Sequence, residues 1–323
     1  MTDRERSAPL APVLVAAPLP AVTMAALERA FTVHCLWQGV ADADLATVRG
    51  IAASTLAQGI GEDLFARCPA LELIANFGVG YDNIDIAAAV RRGLVVTNTA
   101  GVLDEEVADL TLGLVLATLR RLPAAERFLR DGHWQHGSFP LSPSLRGRRV
   151  GIVGLGGIGK AVARRLHGFA VDIAWYGRTL QPEIGYPRAP SLLALAQDSD
   201  VLIAIVPGGP ATRHMIDAPV LSALGPDGVL INVSRGSVVD EAALITALQQ
   251  RTILAAGLDV FEREPHVPAA LIACDNAVLL PHVGSASELT REAMGQMMVD
   301  NLASWFAGRG PLTPVPETRH LLR

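Results

Sequence analysis

RVGIVGLGGIGKAVA, residues 149–163, is the stretch that decides the fold. An apolar run ends at Gly154, glycines recur at 156 and 159, and an amphipathic stretch follows. That is strand, tight turn and helix. Gly154 permits the turn, Gly156 lets backbone approach a pyrophosphate, and Gly159 lets helix and strand pack closely. The first helical turn, through Leu155, Gly157 and Ile158, points amide N–H groups at phosphates. A glycine-rich turn without this context would mean little; here the strand precedes it and the helix follows.

Outward from this loop, apolar runs alternate with amphipathic stretches along the whole chain, the pattern of an α/β protein with parallel sheets. Beyond residue 148 the strand candidates are 149–153, 171–176, 200–206, 228–233, 254–260 and 277–280. Six parallel strands match the doubly wound dinucleotide-binding sheet. Before it, candidates lie near 12–17, 31–35, 49–53, 71–75 and 94–97. A long helix is predicted from Asp104, with three acids against its dipole, and Pro123 is expected to stop it. The polar stretch His133–Gly147 reads as the seam between two modules. A last helix, 286–307, has no strand after it and is expected to return to the first module, making that one discontinuous.

At 323 residues the chain is long enough for two cores. Half the residues are hydrophobic and few are aromatic, so those cores are aliphatic. A net charge of −5 provides no basic field for nucleic acid. Cys35, Cys68 and Cys274 are scattered, with no disulfide framework or metal-ligand spacing. The run PVLVAA at 12–17 is short for a secretory core, and Leu110–Leu119 is short for a bilayer. A soluble, cytoplasmic protein without a membrane partner is expected.

Three polar residues stand just past apolar runs of the second half: Arg235 after GVLINV, Glu264 after ILAAGLDV, and His282 after AVLL. Ligands of open α/β sheets bind beyond the carboxyl ends of the strands. A cation, a carboxylate and an imidazole at one rim suit reduction of a 2-oxo acid. Arg235 can pair with a carboxylate and polarise the neighbouring carbonyl. His282 is the economical proton donor at neutral pH, and a carboxylate beside it favours its charged form. Each also has a plainer reading: a strand-end arginine, a solvated glutamate (Glu262 equally), a structural histidine.

After the second strand, where NAD sites place an acid, the chain has Gly177, Arg178 and Thr179; Asp172 is at the wrong end of the strand. A guanidinium and a hydroxyl suit a ribose 2′-phosphate, so NADP(H) is expected, with NAD(H) the weaker alternative. The plainer reading of Arg178 is a solvated surface residue.

Together these residues resemble the D-isomer-specific 2-hydroxyacid dehydrogenases. NFGVGYDNID at 76–85 resembles the family's substrate loop, and VTNTAGVLDEEVAD at 96–109 its hinge and first long helix. The glycine loop, Ser234-Arg235-Gly236, the run Asp259 to Pro265, and Pro281 to Ser285 match in order. The resemblance implies that Arg235 binds the 2-oxo acid, His282 is the acid/base and Glu264, not Glu262, is its partner. It implies carboxylate binding by the amides of Val79 and Gly80, with Ser54, Thr55, Leu56 and Phe77 on the first-domain wall of the cleft; Leu56 and Phe77 read equally as plain core residues. Dinucleotide contacts follow at residues 154–159, Arg178, Thr179, Val206, Pro207, Val233, Ser234, Asp259, His282 and Gly284. The domains implied are a flavodoxin-like substrate-binding domain, 1–103 with 286–323, and an NAD(P)-binding Rossmann domain, 104–285. A dimer through about 104–137 is implied, where His133, Trp134, His136 and Phe139 cluster.

The Gly-Arg-Thr stretch looks most like the NADPH-preferring glyoxylate/hydroxypyruvate reductases. Hydroxyphenylpyruvate reductases look similar over the same stretches. A rival of another class is a nucleotide-sensing binding protein, such as a corepressor, that keeps this fold without turnover.

Overall fold

The structure is a computed structural model that describes residues 10–55, 57, 59–181 and 184–322. The chain divides into two compact units, Met1–Leu103 with Ser287–Arg323, and Asp104–Ala286.

In the first unit the strands are β1 (Pro12–Val15), β2 (Thr32–Cys35), β3 (Gly50–Ser54), β4 (Leu73–Phe77) and β5 (Val95–Thr97). Its helices begin with α1 (Ala21–Ala30), α2 (Asp42–Leu45), α3 (Glu62–Arg67) and α4 (Ile86–Arg91). The strands form a parallel sheet in the order β2-β1-β3-β4-β5, the flavodoxin-like order. β3, β4 and β5 are buried at every position, as strands covered on both faces must be. One covering is the helix Glu288–Phe306, which packs on α1 and β4. A β-carbon at Gly50 would stand 2.8 Å from Leu302 Cδ2, so the absent side chain brings helix and sheet together.

The second unit opens with α5 (Asp104–Leu119) and α6 (Leu122–Arg130). Its strands are β6 (Arg149–Val153), β7 (Asp172–Tyr176), β8 (Val201–Ala204), β9 (Val229–Asn232), β10 (Ala255–Leu258) and β11 (Ala277–Leu279). Between them lie α7 (Gly157–His167), α8 (Leu192–Gln197), α9 (Ala218–Leu224), α10 (Glu241–Gln249) and α11 (Ala269–Ile272); the helix of the first unit named above is α12. All six strands are parallel, in the order β11-β10-β9-β8-β6-β7. The order reverses between β6 and β8, the place where a doubly wound sheet opens a crevice for its ligand.

Three expectations need correction. The six strand candidates are real, but the third position of the dinucleotide-binding order is not β8. Residues 187–189 hold it, pairing in parallel with β7 at Trp175 through Trp175 N to Pro187 O (3.0 Å) and Ala189 N to Trp175 O (2.8 Å). Nor is His133–Gly147 the seam. It lies inside the second unit because α5 buries Val107, Ala108, Thr111, Leu114, Val115 and Leu119 and packs on α7 and β10. Pro123 does not stop α5, which ends at Leu119. Arg121 turns left-handed (φ 53°), and Pro123 sits in the first turn of α6, where its missing N–H costs nothing.

Candidate active site

At the end of β6, Gly154 adopts φ 96° and donates its N–H to Tyr176 O (2.8 Å). A β-carbon there would collide with Ile205 O just past β8, and one at Gly159 would collide with Gly154 O. The turn is therefore wedged into the point where strand order reverses. Gly157 packs against the Asp104 carboxylate. Gly156 is different: nothing lies within 4 Å of where its β-carbon would be, and no side chain caps α7 there. An open glycine before an uncapped helix start is the cradle a pyrophosphate needs. Leu155 is buried, its carbonyl held by Gln181 Nε2 at 2.9 Å, and Ile158 is half-buried.

Past β7, Arg178 and Thr179 are exposed, and no described residue forms an ion pair with Arg178. Arg188, to which the sequence drew no attention, shapes this turn: its Nη2 donates to Gly177 O at 2.7 Å and its guanidinium lies over Trp175. A free guanidinium beyond β7 and an open helix start beyond β6 fit a dinucleotide with a 2′-phosphate. Val206 is half-buried and Pro207 exposed just past β8; Val233 and Ser234 are buried past β9.

The loops after β9, β10 and β11 lock together. Buried Asn232 donates from Nδ2 to Arg235 O (3.0 Å), while its Oδ1 accepts from Ser234 N (3.0 Å) and Ser234 Oγ (2.6 Å). Half-buried Arg235 donates from Nη1 to Ser234 O at 2.7 Å. A β-carbon at Gly236 would overlap the backbone of Phe261 and Glu262, so this loop lies directly on the one after β10. Asp259, 2% exposed, holds the third loop. Its Oδ1 accepts from Val283 N (2.7 Å), its Oδ2 from Gly284 N (2.8 Å), and its carbonyl from His282 N (2.9 Å). Burial pushes the Asp259 carboxyl above its ordinary range, against the two amides that favour the anion.

That clamp presents His282 to Glu264. Nδ1 of the ring is 2.7 Å from Glu264 Oε2, and Glu264 Oε1 accepts from Phe261 N at 2.9 Å. Burial pushes Glu264 up. The His282 hydrogen bond and charge, the Phe261 amide and the nearby charge of Arg235 outweigh it, and the carboxyl ends below the usual glutamate range. Arg235, Glu264 and His282 are thus brought together. Glu262 is turned elsewhere: its Oε1 meets Arg213 Nη2 and His214 Nε2, each at 2.9 Å. His282 presents one nitrogen to an anion and leaves the other for a substrate oxygen, the arrangement of a general acid oriented by its partner.

In the first unit, the loop after β4 is held by two asparagines. Asn76 Nδ2 donates to Gly78 O (3.0 Å) and Gly80 O (2.9 Å), and Asn98 Nδ2 donates to Val79 O (2.9 Å). With its carbonyls engaged, the loop leaves the N–H groups of Val79 and Gly80 with no acceptor among the described residues. Phe77, at the end of β4, is buried. Leu56 lies outside the described residues. No group of three or more His, Cys, Asp or Glu is placed to hold a metal ion among the described residues.

A doubly wound nucleotide-binding sheet whose rim carries an oriented histidine, its carboxylate and a cation defines a pyridine-nucleotide dehydrogenase. The family model for the D-isomer specific 2-hydroxyacid dehydrogenase NAD binding domain matches residues 112–284. The chain is 42% identical to glyoxylate/hydroxypyruvate reductase A of Arabidopsis thaliana, over 94% of this chain and 98% of that one. It is 41% identical to the hydroxyphenylpyruvate reductase of Plectranthus scutellarioides, over the same shares. The NADPH-dependent glyoxylate/hydroxypyruvate reductase of Sinorhizobium meliloti, solved with NADP and malonate, superposes with a TM-score of 0.91 at 52% identity, covering 97% of this chain and 98% of that one. The chain belongs to the D-isomer specific 2-hydroxyacid dehydrogenase family.

Proposed function

We propose that this protein reduces small 2-oxo acids, glyoxylate and hydroxypyruvate, to D-2-hydroxy acids with NADPH. The observation that carries the proposal is the 2.7 Å contact between His282 Nδ1 and Glu264 Oε2, with the charge of Arg235 beside it. Bound NADPH supplies a hydride to C2. The residues of the chain do the rest. His282 holds a proton for the carbonyl oxygen, and the Glu264 carboxylate, 2.7 Å from Nδ1, fixes the orientation of its ring. Arg235 draws electron density from the carbonyl and pairs with the carboxylate. In the first unit, the amides of Val79 and Gly80 are carboxylate donors. Residues 154–159 receive the pyrophosphate, and Arg178 with Thr179 the 2′-phosphate; Val206, Pro207, Val233, Ser234, Asp259 and Gly284 complete the dinucleotide contacts. NADP in the Sinorhizobium meliloti complex supports the cofactor, and malonate there supports a small carboxylate ligand.

A cytoplasmic location belongs to the same proposal; no described helix is long and apolar enough to cross a membrane. So does a homodimer through residues around 104–137. α6 has no buried residue, and Leu122, Leu129, Trp134 and Leu141 leave apolar surface open along this stretch. The Phe128 ring meets His133 at a tilt and Phe139 edge to face, each with centroids 5.4 Å apart.

The decisive experiment is NADPH oxidation by the purified protein with glyoxylate, hydroxypyruvate and hydroxyphenylpyruvate. Turnover of the first two is expected to exceed that of the aromatic acid. Absence of turnover with all three, alongside tight NADPH binding, would favour the nucleotide-sensing reading.

A further inference from the structure

The first turn of α12 carries a guanidinium without a counter-charge. Arg291 is half-buried, with its Cζ 5.6 Å from the centroid of the Phe77 ring. Among the described residues no carboxylate pairs with it and no acceptor bonds it. Arg49 makes the instructive contrast in the same unit. It too lies over a phenylalanine, Phe306 at 4.9 Å, but its Nε meets Glu72 Oε1 at 2.6 Å. Burial pushes the Arg291 guanidinium below its ordinary range, and nothing in the fold opposes that. A partly desolvated cation left unpaired costs stability unless an anion comes to it.

Its position says which anion. Phe77 is the last residue of β4, and the loop with the open amides of Val79 and Gly80 begins at the next residue. Ser54 is the register partner of Phe77 on β3, so both side chains leave the same face of the sheet. Ser54 is 4% exposed, and its Oγ has no hydrogen-bond partner. An unpaired cation and an unpartnered hydroxyl therefore flank Phe77, close in sequence and sheet register to the amides assigned to the substrate C1 carboxylate.

We propose that Arg291, aided by Ser54, is a specificity subsite for an oxygen-bearing group attached at C3 of the substrate. A second carboxylate is the strongest ligand and a 3-hydroxyl the next, while glyoxylate, which has no C3, does not use the site. The proposal rests on the reading that Val79 and Gly80 hold the C1 carboxylate. Arg291 serves discrimination, whereas proton transfer stays with His282.

Arg291→Met and Arg291→Lys, with unfolding temperatures measured alongside, test it on glyoxylate, hydroxypyruvate and oxaloacetate. For Arg291→Met, kcat/KM is expected to fall about tenfold or more with oxaloacetate, less with hydroxypyruvate, and under about threefold with glyoxylate. Lysine is expected to retain part of the discrimination, since it keeps the charge without the planar fork. Equal losses on all three acids, or none, would overturn the subsite. Calorimetric titration with malonate and with propionate decides it independently of turnover. Wild type is expected to prefer malonate, and Arg291→Met to lose that preference; a preference absent from wild type or kept by the variant refutes the proposal. Failure of the reductase reading looks different: no 2-oxo acid is turned over, whatever malonate does.

Discussion

Two loops in this molecule are fixed by opposite means. The loop carrying His282 hangs on the buried carboxylate of Asp259, with Glu264 as a second anion against the ring. The loop carrying Val79 and Gly80 hangs on the neutral amides of Asn76 and Asn98. Each choice suits what the loop offers. Asp259 collects the N–H groups of Val283 and Gly284, so that loop is held through its donors. Asn76 and Asn98 collect carbonyls, and the donors are left without an acceptor among the described residues. A carboxylate could not serve the second loop, because it has no hydrogen to give to a carbonyl. The difference also makes one loop sensitive to protons and leaves the other indifferent to them.

The sharpest break of this comparison is at the acid itself. His282→Asn keeps a polar side chain but cannot deliver a proton, and kcat is expected to fall by about 10² to 10⁴. NADPH affinity, read by fluorescence titration, is expected to fall far less than kcat. A variant within tenfold of wild-type kcat would remove His282 from proton transfer.

Exchanging the clamps comes next. Asp259→Asn sets an amide NH2 against a backbone N–H that had an anion. Asn76→Asp sets an anion against two carbonyls that had a donor. Each leaves buried groups unsatisfied and is expected to cost about 1–3 kcal/mol by denaturant unfolding. Two substitutions of one atom type, opposite in chemistry and alike in cost, would support the comparison. If both were silent, neither side chain would be the clamp it looks like.

How much of this the sequence discloses follows from how local each signal is. The turn at 154–159 and the three rim residues are legible because each sits within a few positions of an apolar strand. The strand at 187–189 is not. It carries Pro187, with Pro190 just past it, and pairs on one side only, as proline-bearing edge segments do. Arg121 is not legible either: nothing in its side chain announces a left-handed backbone. Only family resemblance separates Glu262 from Glu264 in the sequence, since both follow the same strand. The physical reason is the pair Arg213 and His214, far off in sequence, which draws Glu262 away. The sequence marks Asp259 as a nucleotide contact, and its grip on the amides of Val283 and Gly284 shows only in three dimensions.

A smaller effect concerns the cofactor. Arg178→Ala removes a cation that no described carboxylate claims, so no internal ion pair is lost with it. The ratio of kcat/KM for NADPH over that for NADH is expected to drop about tenfold, the scale of one charge-assisted contact. An unchanged ratio would return Arg178 to the solvated surface. Arg178 and Arg291, neither paired with a carboxylate among the described residues, would then differ in meaning, one exposed and idle, the other half-buried and waiting for an anion.

The finest test displaces a pH profile. Glu264 ends below the ordinary glutamate range, so its support of the loop is complete above that range and is lost as pH falls through the lowered folded value. Across neutral pH it is an anion beside the ring. Glu264→Gln keeps an oxygen for Phe261 N and removes that charge. Wild-type stability, measured by urea unfolding from neutral to acid pH, is expected to exceed that of the variant at neutral pH and to converge on it as pH falls through the lowered Glu264 value. A constant gap across that range would show that Glu264 holds the loop as a hydrogen-bond acceptor alone, and the charged clamp would then differ from the asparagine clamp in strength alone.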